Sequence, residues 1–466
     1  MTYTACAHTD YLDPDIYDPD PEYPPLFEWQ ELHVDKIASS VLARRYAKDG
    51  SDTGTGKTIM ACDVARRFRV WKGGCKAIPI CPKPVVSVWD EWLEAFDFSP
   101  EAINYEKIRT GKHPYLKRVK TRDKFQWDTD LLDPESTLLI FDEDHKCKGD
   151  KSLNSLMLVA AKRQGFHILL LGATSCNDPR EMKALGFVLG MHHHKDFWTW
   201  AGTMGCRRGN FGGLTFNHHP KVLKKIHNYV YGGSIPRGSR ISIKELGDKF
   251  PANQVSATPY DVTSPKVIDK IYEEMRGELA ELEERRGENE DNPLTIQLRA
   301  RQKVELLKVP TFIELARDAQ AEGNAVVIFV SFRQTLDALN GEFSGLTIHG
   351  GQSTEERQDA IIKFQHSRGE APEILVCQIQ SGGVGISLHD EYGDRPRVSL
   401  ISPTFSAIDL KQALGRIHRA TGKSPAIQKI VFAAKTVEEG VCRSVRRKLH
   451  DLSLVTDGDL SDSLGF

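Results

Sequence analysis

The chain has 466 residues, 40% hydrophobic and 27% charged, with a formal net charge of −2. At roughly 150 residues per domain this length sets an expectation of two or three domains, and the composition excludes a collagen-like or wholly disordered chain. No apolar run approaches the roughly 18 residues that span a bilayer, and Met1 is not followed by a basic-then-apolar leader, so the chain is expected to be cytoplasmic with no membrane partner.

The first 25 residues carry Asp10, Asp13, Asp15, Asp18, Asp20 and Glu22 with no Lys or Arg, and are punctuated by prolines. Such a segment cannot bury enough apolar surface to order itself; an acidic, flexible tail is expected, a candidate attachment for a protein partner. Ser51, Asp52, Thr53, Gly54, Thr55, Gly56, Lys57 and Thr58 then form a phosphate-binding pattern. Phosphates need converging backbone N–H groups, a lysine for the β/γ charge and a hydroxyl for Mg²⁺. Gly54 and Gly56 permit the tight turn, and a helix over Ile59–Trp71 aims its positive N-terminal end at the phosphates. Two features depart from the pattern. Ser51 stands where a first glycine is usual, and residues 44–50 are poorer in apolar side chains than a buried strand should be.

A strand is predicted at Ala77–Cys81, followed by a basic stretch from Lys107 to Lys124 with eight Lys/Arg against one Asp. The next strand, Thr137–Phe141, runs into Asp142, Glu143, Asp144 and His145. An acid at a strand's C-terminal end can hold Mg²⁺ through water, and the Glu beside it can polarise the attacking water. Ile168–Leu171 is a further strand. His192–His194 and the His218–His219 pair are not read as a metal site, because adjacent residues point apart and no Cys or acid sits at ligand spacing. The nine cysteines form no CxxC pair and are expected to be reduced structural thiols. Arg207–Lys249 is again basic, and about 250–310 is charged and helical without strand signals, with an acidic run over Glu278–Asp291.

Strands return at Ala325–Val330, Ile374–Cys377, Val398–Ile401 and Ile427–Phe432, with a helix over Thr354–Phe364. Strands spaced by helices, twice over, predict an α/β fold with parallel sheets covered on both faces. In Gln412-Ala413-Leu414-Gly415-Arg416-Ile417-His418-Arg419, a helix would place Gln412, Arg416 and Arg419 on one face, suited to polyphosphate.

In this order, the loop ending Gly56-Lys57-Thr58, the Asp142–His145 tetrad, Gly172-Ala173-Thr174 and the Gln412–Arg419 stretch resemble the superfamily 2 helicases. The similarity covers about residues 25–450. Details resemble the sucrose-non-fermenting (Snf) branch of duplex DNA translocases: Ile80–Lys83 with Trp89 and Trp92, Asn104-Tyr105-Glu106, Leu169–Leu189, Phe329–Leu339, and Ser381–Leu388. Departures are Asp144 where the family has Ala, Ala173-Thr174 where it has Thr-Pro, and Ala-Thr-Gly-Lys after Arg419. No chromatin-reading domain is visible, so a minimal phage, viral or bacterial member, acting in a host cytoplasm if viral, is expected rather than a chromatin remodeller.

The resemblance implies two tandem RecA-like lobes, 26–250 and 251–466 with a helical connection at about 251–310, each a mostly parallel sheet between helices, with the ATP site in the cleft between them. It implies that Gln30 reads adenine, that Lys57 and Thr58 hold phosphate and Mg²⁺, that Asp142 is the Mg²⁺ acid and Glu143 the base, and that Asp390 reaches the ribose. His145 and Gly172, Ala173 and Thr174 would couple hydrolysis to movement, and Arg416 and Arg419 would act from the second lobe. Candidates for gripping DNA are Lys83, the cluster Arg109, Lys112, Lys117, Arg118 and Lys120, and Ser381, Gly382 and Gly383, through sequence-independent phosphate contacts. ATP and Mg are the expected cofactors and duplex DNA the expected partner. A strand-separating DNA or RNA helicase, a nucleic-acid scaffold using ATP only as a conformational ligand, and the motor subunit of a larger restriction-like or viral transcription complex stay open.

Overall fold

Aliphatic runs become parallel strands wherever both faces are covered, and charged residues enter a strand only where partners are supplied. The computed structural model describes residues 23–120, 124–149, 152–173, 178–209, 214–217, 219–257, 259–262, 264–284, 293–366, 373–382, 386–403, 406–436, 438–440 and 443. Most of the acidic tail, Thr174, His218, Gly383 and residues 285–291 of the second acidic run lie outside these. Two compact units divide at Ser242 and Ile243.

In the first unit, β1 (Tyr46–Asp49), β2 (Lys76–Cys81), β3 (Ile103–Asn104), β4 (Thr137–Asp142), β5 (His167–Leu171) and β6 (Gly238–Ser239) form one all-parallel sheet in the order β6-β1-β5-β4-β2-β3. Side chains alternate across a strand, so Ile78, Ile80, Leu139, Phe141, Ile168 and Leu170 share one face and pack with Leu158 and Ala161 of the helix Leu153–Arg163. Helices α1 (Glu28–Arg44) and α2 (Lys57–Lys72) pack on each other and on the sheet. Arg67 of α2, 4% exposed, fastens that pair by bonding Glu31 and Asp35 of α1 and Asp63 of its own helix.

Within the segment 44–50, which looked too polar for a strand, Tyr46–Asp49 form β1, buried at every position. Short pieces escaped the sequence reading, among them β3, β6 and a small antiparallel sheet of Lys112–His113, Leu116–Arg118 and Phe125–Trp127. Two-residue and three-residue strands carry too little periodicity to register.

In the second unit, β7 (Asn253–Ser256), β8 (Ala325–Val330), β9 (Leu346–Ile348), β10 (Ile374–Gln378), β11 (Arg397–Ile401) and β12 (Ala426–Ile430) form another parallel sheet, ordered β7-β12-β11-β8-β10-β9. One face holds Val326, Ile328, Val376 and Leu400 against Phe312 and Leu336, from the helices Val309–Ala321 and Arg333–Phe343. The other holds Val327, Phe329, Leu375 and Ile401 against Phe364 and Leu410, from Thr354–His366 and Ala407–Leu414. The stretch 250–310, expected to lack strands, supplies β7 and Pro259–Tyr260 before its helices Pro265–Glu284 and Pro293–Leu307. Asn253 and Gln254 are exposed, as an edge strand allows, which hid β7 from a search for apolar runs.

Among the described residues no helix is long and apolar enough to cross a membrane. The described cysteines are free and, Cys75 apart, buried.

Candidate active site

The loop 50–56 leaves β1 at the C-terminal edge of the first sheet, and α2 follows it. Gly54 and Gly56 have φ of 88° and 85°, the left-handed region that L side chains avoid, so glycine is required there. Ser51 has no positive φ and is fully buried. Its backbone does not need glycine, and its Oγ accepts from Ile241 N at 3.0 Å and lies 3.3 Å from His33 Nε2. The first departure from the phosphate-loop pattern is therefore a tether. Arg240 adds a clamp, its guanidinium donating to Gly50 O and Asp52 Oδ1, each at 3.0 Å.

Lys57 Nζ donates to the carbonyls of Ser51 and Asp52 at 2.9 Å each. Burial lowers its pKa from the usual lysine value, against the opposing pull of Asp49, Glu143, Asp142 and Asp52. Thr58 lies in the first turn of α2. Gln30 is 2% exposed; its Oε1 caps α1 by accepting from Phe27 N at 2.8 Å, and its Nε2 abuts Gly56, 2.7 Å from where a Cβ would stand.

Asp142 ends β4. Its Oδ2 accepts from Trp89 Nε1 at 3.0 Å, its Oδ1 from Glu143 N at 2.9 Å, and its carbonyl from Tyr105 Oη at 2.8 Å. Burial and the neighbouring Glu143 push the Asp142 carboxyl up to about 6, against Trp89 and Lys57. Glu143 has φ 53° and ψ 57°, a left-handed conformation costing an L residue about 1–2 kcal/mol. Such strain persists where surrounding structure enforces it, and it accompanies functional positions. His145 Nδ1 lies 3.3 Å from Glu143 Oε2.

The polar character of β1 has its explanation here. Lys48, 5% exposed, reaches Asp144 Oδ2 at 2.8 Å and Gly172 O at 3.1 Å, with Asp144 fully buried. Asp144 thus answers a lysine on the neighbouring strand, and the departure from Ala has a partner. A Cβ on Gly172 would meet Asp144 Oδ1 at 2.2 Å, so this carboxylate also demands the glycine that follows β5. Ala173 beside it is buried. Asp49 accepts from Ser51 N at 2.8 Å and sits 3.2 Å from His33 Nε2. Burial alone would raise its carboxyl, but His33, Lys57 and Ser51 outweigh it and hold it at about 2. Sequence reasoning passed over Lys48, His33 and Arg240, because none belongs to a motif and their partners are distant in the chain.

In the second unit, the helical face proposed for Gln412, Arg416 and Arg419 needs correcting. The helix ends at Leu414 with Gly415 as its cap. Arg416 and Arg419 come together because both donate to Ile386 O, at 3.2 and 3.0 Å. Gln412 and Arg416 are buried, while Arg419 is partly exposed. The carboxylate of Asp390 accepts the N–H groups of Tyr392, Gly393 and Arg395, so it shapes its own loop.

Of the DNA-gripping candidates, Lys83 is exposed after β2, and Ser381 and Gly382 close the short helix Ile379–Gly382. In the basic cluster Lys117 pairs with Asp128 Oδ2 at 2.6 Å, and Arg118 donates to Arg109 O at 3.1 Å, while Lys112 and Lys120 are exposed. The His192 ring nitrogens lie 3.2 Å from Met182 O and 3.0 Å from His193 O, a structural role.

A nucleotide and Mg²⁺ fit this donor set. A lysine is held over loop carbonyls, two positive-φ glycines open the loop, and a carboxylate pair ends the adjacent strand.

Residues 307–421 match the helicase conserved C-terminal domain family. Over 472 aligned positions the chain is 32% identical to a protein of Acanthamoeba polyphaga mimivirus whose name assigns it as an ATP-dependent RNA helicase, covering 93% of this chain and 84% of that one. A SWI/SNF-related regulator-of-chromatin protein of Arabidopsis thaliana is 27% identical over 127 residues, 26% of this chain and 14% of that one. Among solved structures, the SWI2/SNF2 ATPase core of Sulfolobus solfataricus in complex with double-stranded DNA aligns over 95% of this chain and 96% of its own, at 15% identity and a TM-score of 0.38.

Proposed function

The chain belongs to the superfamily 2 helicases, in their Snf-like branch, and from that premise we propose that it is a Mg²⁺-requiring, DNA-stimulated ATPase that translocates on duplex DNA. Membership makes it an ATP-dependent nucleic-acid motor; substrate strand, stimulation and metal are the proposal's own. The observation that carries the chemistry is the gathering of Lys57, Asp142 and Glu143 at the edge of one sheet, with Lys57 Nζ fixed 2.9 Å from two loop carbonyls.

Lys57 and the N–H groups of residues 53–58 would bind the phosphates, those of Ser51 and Asp52 being bonded to Asp49 and Ile241, and Thr58 and Asp142 would hold Mg²⁺. The metal, when bound, neutralises charge on the phosphate oxygens. Trp89 and Tyr105 orient Asp142 through its carboxylate and its carbonyl. Glu143 accepts a proton from the attacking water at a carboxylate oxygen, with His145 beside that group. Gln30 would read adenine with its amide. Arg419, with Arg416, would meet charge that grows in the transition state, where a planar fork suits phosphate oxygens.

Duplex DNA is favoured by the resemblance of the segments around Trp89 and Tyr105 to the Snf branch. The name of the mimivirus relative favours a second reading, an RNA helicase. Steady-state ATPase measured without nucleic acid, then with single-stranded DNA, duplex DNA and RNA, each with Mg²⁺ and with EDTA, separates them. Stimulation greatest with duplex DNA and lost in EDTA is expected. Stimulation by RNA alone transfers the function to the second reading.

A further inference from the structure

The second basic region of the sequence folds into a surface that none of the roles above uses. The helix Phe197–Thr203 and the hairpin of Arg207–Arg208 with Leu214–Thr215 share one small core of Phe197, Ala201, Cys206 and Leu214. The helix Pro220–Tyr231 begins five residues after the hairpin, and Tyr229 Oη near its C-terminal end donates to Gly190 O at 2.6 Å. That helix buries Leu223, Ile226 and Val230. At 100° per residue, Lys221, Lys224 and Lys225 fall together on the opposite side, and all three are exposed. Lys195, Arg207 and Arg208 are exposed too. Between residues 191 and 231 the only acid is Asp196, and none of these six cations makes an ion pair with a described residue.

Local physics mildly disfavours this arrangement, by about 0.2–1 kcal/mol for each such effect. Cations in a helix's first turns oppose its dipole, and Lys221 and Lys225 repel at i,i+4. The helix has no acid in its first turn to offset them. The stretch Arg109–Lys120 differs in part, because its Lys117 pairs with Asp128 and its Arg118 is folded onto Arg109 O and the Phe125 ring, while Lys112 and Lys120 are exposed.

Resting on the motor reading, we propose that Lys221, Lys224 and Lys225 form a further contact surface for the phosphate backbone of nucleic acid. The contact is sequence-independent, since exposed cations see phosphates and not base edges.

The test is binding of the full chain to duplex DNA, single-stranded DNA and RNA across a salt series, for the unmodified protein and for Lys221→Glu/Lys224→Glu/Lys225→Glu. Thermal unfolding of the variant verifies its fold, which should persist because these side chains bond no described residue. Loss of three phosphate contacts lowers the log–log salt slope by about 2.7 on duplex DNA and about 2.1 on single strands. A loss on one nucleic acid, with the slope kept on the others, identifies the source of the phosphates. The control is Lys270→Glu/Lys363→Glu, exposed lysines of the second unit, which should keep the slope. An unchanged slope in the triple variant overturns the proposal. An equal loss in the control overturns it too, leaving only net charge. If the unmodified chain binds no nucleic acid, the motor reading falls and this surface with it.

Discussion

Lys48→Met is the sharpest perturbation of the first unit, because it strands a fully buried carboxylate. Lys48 and Asp144 stand 2.8 Å apart at 5% and 0% exposure, so neither charge can recover its hydration without local unfolding. Removing one partner of such a pair costs about 3–5 kcal/mol, whereas replacing both with apolar groups is often near neutral. Asp144→Ala should fall at the lower end of that range, because Gly172 O still accepts from Lys48 at 3.1 Å. At about 2–4 °C per kcal/mol for a domain of this size, each single variant should lose roughly 6–20 °C of unfolding temperature. Lys48→Met/Asp144→Ala should return to within about 2 kcal/mol of the parent, the residue being the small void left by the carboxylate. Urea unfolding of the four proteins closes the cycle and should give a coupling energy above about 3 kcal/mol, beyond the usual range for neighbouring residues only because both charges are buried. Gly172→Ala supplies an independent arm: severe in the parent, where its Cβ meets Asp144 Oδ1 at 2.2 Å, and relieved in the Asp144→Ala background. Additive single losses, or a Lys48→Met protein as stable as the parent, would refute the reasoning.

Lys57→Ala should abolish turnover and weaken ATP binding, while Glu143→Gln should lose turnover yet still bind ATP; nucleotide titration beside kcat distinguishes them, and parental turnover in Glu143→Gln removes the base assignment. Arg419→Ala should lower single-turnover hydrolysis with little change in ATP affinity, by less than the 10³–10⁵ typical of fingers supplied in trans because Arg416 shares its carbonyl partner, and Arg419→Lys should not rescue it. Asp49 is held at about 2 against an ordinary 3.8, so its folded form prefers the carboxylate and contributes roughly 2 kcal/mol above pH 4 that is lost as pH falls from about 4 to about 2. Asp49→Asn should therefore be less stable at neutral pH, with the gap closing in that window; a gap constant from pH 7 to pH 3 would mean the carboxylate is not favoured by its surroundings.

Two kinds of information separate cleanly in this protein. The turn at Gly54 and Gly56, the place of Asp142 and Glu143 at a strand's end and the long strands Ala325–Val330 and Thr137–Asp142 were legible, because each is local: glycines where φ must be positive, an acid where a strand ends, apolar runs where both faces are covered. The strand Tyr46–Asp49 was not, because hydrophobic patterning fails when buried charges are matched by residues far along the chain. Lys48 is balanced by Asp144, 96 positions away, and Ser51 by the backbone of Ile241, 190 positions away. The pairing of Arg416 with Arg419 was expected from helical spacing and arises instead from one shared carbonyl, because the helix stops at Leu414. Charge content likewise located two basic regions, but only tertiary structure decided which cations are paired within the fold and which stand exposed with no ion pair among the described residues. Sequence specifies which groups are present and how the chain repeats locally; which buried charge meets which partner is set by strand order, since parallel neighbours are joined through long crossovers.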